Sequence, residues 1–166
     1  MLELLWGLCS VYGTSGDESA VAAYIAGILD TVEGVSYEYT PLGGIIAYKK
    51  GGRVPKNRVM LDAHMDEVGL IISDIADDGF LKFTTVGGID PAVLLGRRVK
   101  VGSTLCDGVI GLTPIHLLGE DEKKKLPAVT DMYIDIGAQS KQEAEKLVCL
   151  GDNAYFYSEY IEFGDC

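Results

Sequence analysis

The sequence is short of basic residues, histidine, tryptophan and paired cysteines, and each shortage closes off a class of function. Lys and Arg total 14 against 25 acidic residues, a formal net charge of -11. A chain of that sign repels phosphate backbones and anionic headgroups, so neither nucleic acid nor a membrane surface is an expected partner. No run reaches the roughly 20 apolar residues needed to span a bilayer, because Lys, Arg, Asp or Gly interrupts every one. Met1 to Tyr12 is apolar but carries Glu3, and it has neither a basic leader nor a small-residue cleavage site, which predicts no secretory signal. Cys9, Cys106, Cys149 and Cys166 are scattered without a Cys-x-x-Cys pair. A structural zinc site and a disulfide framework are therefore not expected, and reduced thiols in a cytoplasm fit the pattern. Trp6, the single tryptophan, falls in an apolar helical stretch.

What is present suffices for a folded core: 166 residues at 48% hydrophobic composition make one domain or two small ones. Leu2, Leu4, Leu5, Leu8 and Val11 predict a short helix ending near Gly13. Val21, Tyr24, Ile25, Ile28, Leu29 and Val32 recur at helical spacing and predict a second helix over 16–33, with Ser15 and Glu18 as a Ser-x-x-Glu capping box. Val35, Tyr37 and Tyr39, then Ile45 to Tyr48, read as a hairpin-like strand pair. After the polar turn Gly51 to Asn57, the apolar run Val59 to Ala63 predicts a central strand covered on both faces.

From Val68 the texture changes. Short β-rich segments recur at Val68 to Ile75, Phe80 to Val86, Arg97 to Val101, Val109 to Leu112, Met132 to Ile136 and Tyr155 to Phe163, a spacing that suggests a small barrel or sandwich. One helix interrupts them, where Ser140 and Glu143 repeat the capping-box spacing. Lys123, Lys124 and Lys125 read as a solvated loop. The change of architecture falls near Glu67.

The chemistry gathers at the end of the run from Val59. Asp62, His64, Asp66 and Glu67 lie within six residues, and ligands in open α/β sheets collect at the carboxyl ends of strands. A neutral imidazole ligates divalent metals well when a carboxylate or carbonyl fixes its other nitrogen, and Asp66 is placed to do that for His64. Taken alone, His-x-Asp is more often a hydrogen-bonded structural histidine than a ligand, since one histidine cannot hold a metal. Asp62 can line the same pocket or cap a backbone amide. Glu67 marks a candidate hinge. His116, after Pro114, reads as a local structural histidine. Gly87 and Gly88 read as a tight turn, because no Gly-x-Gly-x-x-Gly or Lys-Ser/Thr accompanies them. Asp17 and Glu18 fit the first turn of a helix, where carboxylates favour the dipole.

The stretch Met60-Leu61-Asp62-Ala63-His64-Met65-Asp66-Glu67-Val68-Gly69 resembles the first metal-binding motif of the glutamyl aminopeptidase family, which includes tetrahedral aminopeptidases and proteins once labelled endoglucanases. Gly13-Thr14-Ser15-Gly16-Asp17-Glu18, Val86-Gly87-Gly88-Ile89-Asp90, Gly108-Val109-Ile110-Gly111, Asp135-Ile136-Gly137-Ala138 and Gly151-Asp152 agree in order along the chain. Pro41-Leu42-Gly43-Gly44 departs from the family's Asp-x-Leu-Gly-Asn pattern at one turn.

The resemblance implies an α/β fold: a zinc-peptidase-like α/β domain beginning in residues 1–67, an inserted β-barrel-like dimerisation domain over 68–163, and a return stub at 164–166. It implies a metal-dependent aminopeptidase acting on peptides and assembling as a homo-oligomer through the β-rich insert. The family site holds two divalent ions, with zinc or cobalt expected. His64 matches the first metal ligand, and Asp66 matches the catalytic-site carboxylate that orients it. The family's bridging Asp, its Glu pair and its later ligands find no match, which predicts a truncated portion inactive on its own. A non-catalytic self-association module is the alternative reading. A polysaccharide hydrolase is a weaker one, since no aromatic platform stands beside the Asp62 and Asp66 carboxylates.

Overall fold

A computed structural model describes residues 1–54, 56–113 and 127–164. His116 and the lysine run lie outside the described residues. The chain divides into two compact units, Met1–Glu67 and Val68–Cys166.

The first unit opens with α1 (Leu2–Cys9) and α2 (Ser19–Leu29). Helix α1 stops earlier than the sequence suggests, at an αR cap on Ser10 whose hydroxyl donates to the Trp6 carbonyl at 2.7 Å. Gly13 is needed for proximity instead: a Cβ there would lie 2.4 Å from Cγ2 of Val21. The expected capping box at Ser15 does not form. Helix α2 starts at Ser19 with Glu18 as N-cap and no side-chain cap bond, while the Glu18 carboxylate accepts from the Gly16 amide at 2.8 Å. Strands β1 (Val35–Tyr39) and β2 (Ile45–Lys49) form an antiparallel hairpin with Tyr39 opposite Ile45. Gly43 turns the loop at φ +87°, and the Thr40 hydroxyl accepts from the Gly44 amide at 3.0 Å.

The segment expected to be a central strand is neither a strand nor buried. No ladder pairs residues 59–63, and Val59, Met60 and Leu61 are 85%, 84% and 94% exposed. An apolar run becomes a strand only when a neighbouring backbone takes its amide and carbonyl groups, and none of the described residues does.

The second unit is a closed antiparallel barrel. Its strands are β3 (Gly69–Ile75), β4 (Leu81–Val86), β5 (Arg98–Val101), β6 (Cys106–Leu112), β7 (Met132–Asp135) and β8 (Asn153–Phe156). They run in the order β3-β4-β7-β6-β5-β8, and β8 returns to pair with β3. Of the two architectures the spacing allowed, it is the barrel. The last strand is much shorter than the expected Tyr155 to Phe163: it ends at Phe156, with one further backbone bond from the Tyr157 amide to the Arg98 carbonyl at 3.0 Å.

Alternation builds the core: Leu70 and Ile72, Leu81 and Phe83, Val99 and Val101, Met132 and Ile134 all point inward and are buried. Ile75 breaks the two-residue period after Ile72 yet is also buried, because a register shift between Ile72 and Asp74 turns the strand by one residue. Gly108 leaves room for its neighbours; a Cβ would meet Ile134 Cγ2 at 2.7 Å. Helix α3 (Lys141–Ala144) adds Ala144, and the turn beyond it Val148, to the same core. Here half of the expected capping box forms: the Ser140 hydroxyl accepts from the Glu143 amide at 3.3 Å, while the Glu143 carboxylate accepts from the Gln139 amide at 3.0 Å, one residue before the cap. Asp90 caps the 3-10 turn Pro91–Val93 through the Ala92 amide at 2.9 Å, and Gly87 bends the chain ahead of it at φ +83°.

Candidate metal-ligand site

The candidate site lies wholly in the first unit, where a loop and an extended segment about fifty residues apart are stitched by backbone. Glu67 donates its amide to the Gly13 carbonyl at 2.8 Å, and Ser15 donates to the Glu67 carbonyl at 3.2 Å, a parallel bridge centred on Thr14 and Glu67. Thr14 is fully buried at this crossing, and its hydroxyl has no hydrogen-bond partner among the described residues. The bridge fixes the backbone immediately after His64 and Asp66.

His64 and Asp66 are brought together as the sequence suggests. Nδ1 of His64 lies 2.9 Å from the Asp66 carbonyl oxygen and 3.0 Å from Asp66 Oδ1. A carbonyl oxygen only accepts, so Nδ1 is a protonated nitrogen in this geometry, and in the neutral ring the lone pair is then on Nε2. The imidazole is 85% exposed while the Asp66 side chain is 37% exposed. The ring thus presents its ligating nitrogen outward from a carboxylate held closer to the fold.

Asp66 has a second partner, Ser15, to which the sequence assigns a helix cap instead. The Ser15 hydroxyl donates to Oδ2 of Asp66. That bond is the largest influence on the Asp66 carboxyl and holds it below the ordinary carboxylate range, against partial desolvation, with the His64 ring adding a smaller pull in the same direction. Spacing could not have revealed the contact, because it spans 51 residues. Partial desolvation raises the Glu67 carboxyl, opposed by the Gly13 amide. Asp62 lies in the exposed segment before His64.

The donor chemistry suits a divalent cation at one corner: a neutral imidazole, tautomer fixed, backed by a carboxylate. Among the described residues, no three His, Cys, Asp or Glu side chains are grouped to hold a metal ion. A single imidazole does not close a coordination sphere, so any metal site here needs donors besides those described.

A glutamyl aminopeptidase of Lactococcus lactis subsp. cremoris is 31% identical over 157 residues, which is 92% of this chain and 44% of that protein. Among solved structures, the TET aminopeptidase from the marine sediment archaeon Thaumarchaeota archaeon SCGC AB-539-E09 superposes with a TM-score of 0.89 at 36% identity, covering 98% of this chain and 46% of that one. The TET1 peptidase of Pyrococcus horikoshii, described as assembling into a tetrahedron or a large octahedral shell, gives a TM-score of 0.80 at 38% identity, covering 93% and 46% respectively. The chain thus spans less than half the length of the relatives it matches. The family model for M42 glutamyl aminopeptidase matches residues 43–166, and the chain belongs to that family.

Proposed function

We propose that this polypeptide contributes one metal ligand, His64, and its orienting carboxylate, Asp66, to a co-catalytic metal-dependent aminopeptidase that removes amino-terminal residues from peptides. The observation that carries the reading is the placement of His64 Nδ1 at 2.9 Å from the Asp66 carbonyl and 3.0 Å from its carboxylate, which in the neutral ring leaves the Nε2 lone pair for a metal. When bound, two divalent ions such as zinc or cobalt polarise the scissile carbonyl and lower the pKa of a hydrolytic water. The chain's own share is narrower. His64 offers one nitrogen in a fixed tautomer, Asp66 holds that ring, and the Gly13 to Ser15 loop holds Asp66.

The bridging carboxylate, the remaining ligands and the general base belong, in this proposal, to the part of the relatives' length that this chain does not span. Turnover by these residues alone is not expected. The barrel, as a dimerisation domain inserted between two parts of the peptidase domain, serves homo-oligomerisation, a reading supported by the shell-forming structural relative. No described helix is long and apolar enough to cross a membrane, and Cys9, Cys106 and Cys149 are free thiols, which accords with a cytoplasmic peptidase.

Isothermal titration of the chain with zinc, cobalt and manganese beside His64→Ala, together with an aminoacyl-anilide assay, tests the proposal. Weak binding that disappears in His64→Ala, without hydrolysis, is the expected result. Binding that survives His64→Ala would sink the ligand assignment, and hydrolysis by this chain would overturn the assignment of the other groups to residues beyond it.

A further inference from the structure

The geometry points to Ser15 as a positioning residue that locks the Asp66 carboxylate, and through it the His64 ring, in the orientation a divalent cation on Nε2 requires. This inference rests on the metal reading proposed above. It begins from a hydroxyl with no helix to cap. The Ser-x-x-Glu spacing suggests that Ser15 opens α2, but the helix starts at Ser19 with no side-chain cap bond. The Glu18 carboxylate accepts from Gly16 instead, and the Asp17 amide donates to the Thr14 carbonyl at 2.7 Å.

What the Ser15 hydroxyl does instead is donate across the bridge to Asp66 Oδ2. The delivery is built into the backbone: Glu67 N to Gly13 O and Ser15 N to Glu67 O hold residues 13 and 15 on either side of Glu67. Gly13 permits that approach beside α2, where a Cβ would collide with Val21.

A carboxylate turns easily about its Cβ–Cγ bond, a terminal torsion with a broad profile. Here each oxygen takes one donor: His64 Nδ1 on Oδ1 and Ser15 Oγ on Oδ2. Two donors on opposite oxygens fix the carboxylate plane. Removing the hydroxyl leaves Oδ2 free, lets the plane rotate, and leaves the imidazole proton dependent on the Asp66 carbonyl alone. The tautomer survives; the ring's orientation and the Nδ1–H bond to the carboxylate weaken. Outer partners of metal-ligating histidines typically contribute about 10- to 100-fold in metal affinity.

The test uses imidazole nitrogen-15 NMR on the full 166-residue chain, whose two histidines keep the ring signals assignable. The Ser15→Ala variant should raise the solvent exchange rate of the His64 Nδ1 proton about tenfold, matching the loss of a hydrogen bond to a charged group. Ser15→Thr, which keeps a hydroxyl, should return it toward the wild-type rate. An unchanged rate in Ser15→Ala overturns the proposal. So does a loss of protection at the Glu67 amide in Ser15→Ala, because Ser15 would then be holding the loop and not the carboxylate. Cobalt chloride supplies the second arm. Paramagnetic shifts centred on the wild-type His64 ring, with an apparent affinity about tenfold weaker in Ser15→Ala, complete the expected pattern. Cobalt binding away from His64 in the wild type would refute the metal reading, while the exchange result would still decide whether Ser15 acts on His64 through Asp66.

Discussion

The two units of this chain solve the same problem with opposite success. The barrel closes on itself, so every strand has two neighbours and its apolar alternation faces one interior. The first unit buries only Val21, Ala22 and Ala26 among its described apolar residues, while Val59, Met60 and Leu61 stand in solvent. Hydrophobic composition is therefore a statement about what needs covering, and topology decides what is covered. The contrast also separates stability from chemistry: the well-packed unit carries no described candidate ligand, and the candidate ligand sits in the unit with least core.

The strongest challenge to that contrast is a pair of leucine truncations. Leu81→Ala, at a fully buried site in β4 opposite Ile134, should cost the barrel about 2–5 kcal/mol in denaturant unfolding. Leu61→Ala, at a position 94% exposed, should change stability by less than about 0.5 kcal/mol. A loss above about 1 kcal/mol at Leu61 would mean that another chain or segment covers the run in solution.

Next in size is Gly79→Ala. Gly79 sits at φ +91° with the Ala138 carbonyl oxygen 2.6 Å from where a Cβ would be. Left-handed strain and a backbone collision should together cost about 1–3 kcal/mol, read as a lowered barrel midpoint. A midpoint equal to wild type would show that the turn between β3 and β4 gives way at little cost.

The two serines with identical spacing allow a finer comparison. Ser140→Ala removes a formed cap and should cost about 1 kcal/mol, seen as faster amide exchange at Glu143. Ser15→Ala should leave exchange along α2 unchanged, since no cap is lost. Equal effects on both helices would erase the distinction drawn between them.

The smallest effect is electrostatic. Lys100 donates to Asp107 at 2.8 Å, and that hydrogen bond, ahead of the attraction of Arg98, holds the Asp107 carboxyl below the ordinary carboxylate range. A carboxyl depressed in the folded state stabilises at pH values above its unfolded pKa, and the contribution disappears as pH falls through the folded one. Asp107→Asn should therefore lower the barrel's melting temperature slightly near neutral pH and converge with wild type in strong acid. A gap that widens on acidification would reverse the sign. The Asp107 side chain is 70% exposed, although that of Lys100 is only 22% exposed, so solvent screening keeps the effect on stability small.

Sequence patterns made the barrel strands legible because their period of two and their glycine turns are local properties. The helix at Ser140 was legible for the same reason. His64 and Asp66 stood out through the surrounding motif, and their hydrogen bond needs only a two-residue separation. Val59 to Ala63 misled because an apolar run records a need for neighbours without supplying them. Ser15 misled because its true partner is 51 residues away, and a favourable local spacing offered a simpler role. The bridge at Thr14 and Glu67, which sets that partnership, has no signature in either segment taken alone.

The closure of the barrel has a consequence for how such a chain is assembled from parts. Strands β3 and β8 are its first and last, and they are antiparallel neighbours, with Leu70 opposite Ala154. The polypeptide thus arrives and departs at adjacent points, roughly 5 Å apart as cross-strand partners are. In the insertion proposed above, the host fold would receive a module whose two attachment points are no wider than the base of a hairpin, so the closure entropy for the host would be that of a short turn, however many residues lie between. Exchanging the barrel for such a turn is expected to leave the host's fold intact, and a host that unfolds on the exchange would show that the barrel contributes more than its two points of attachment.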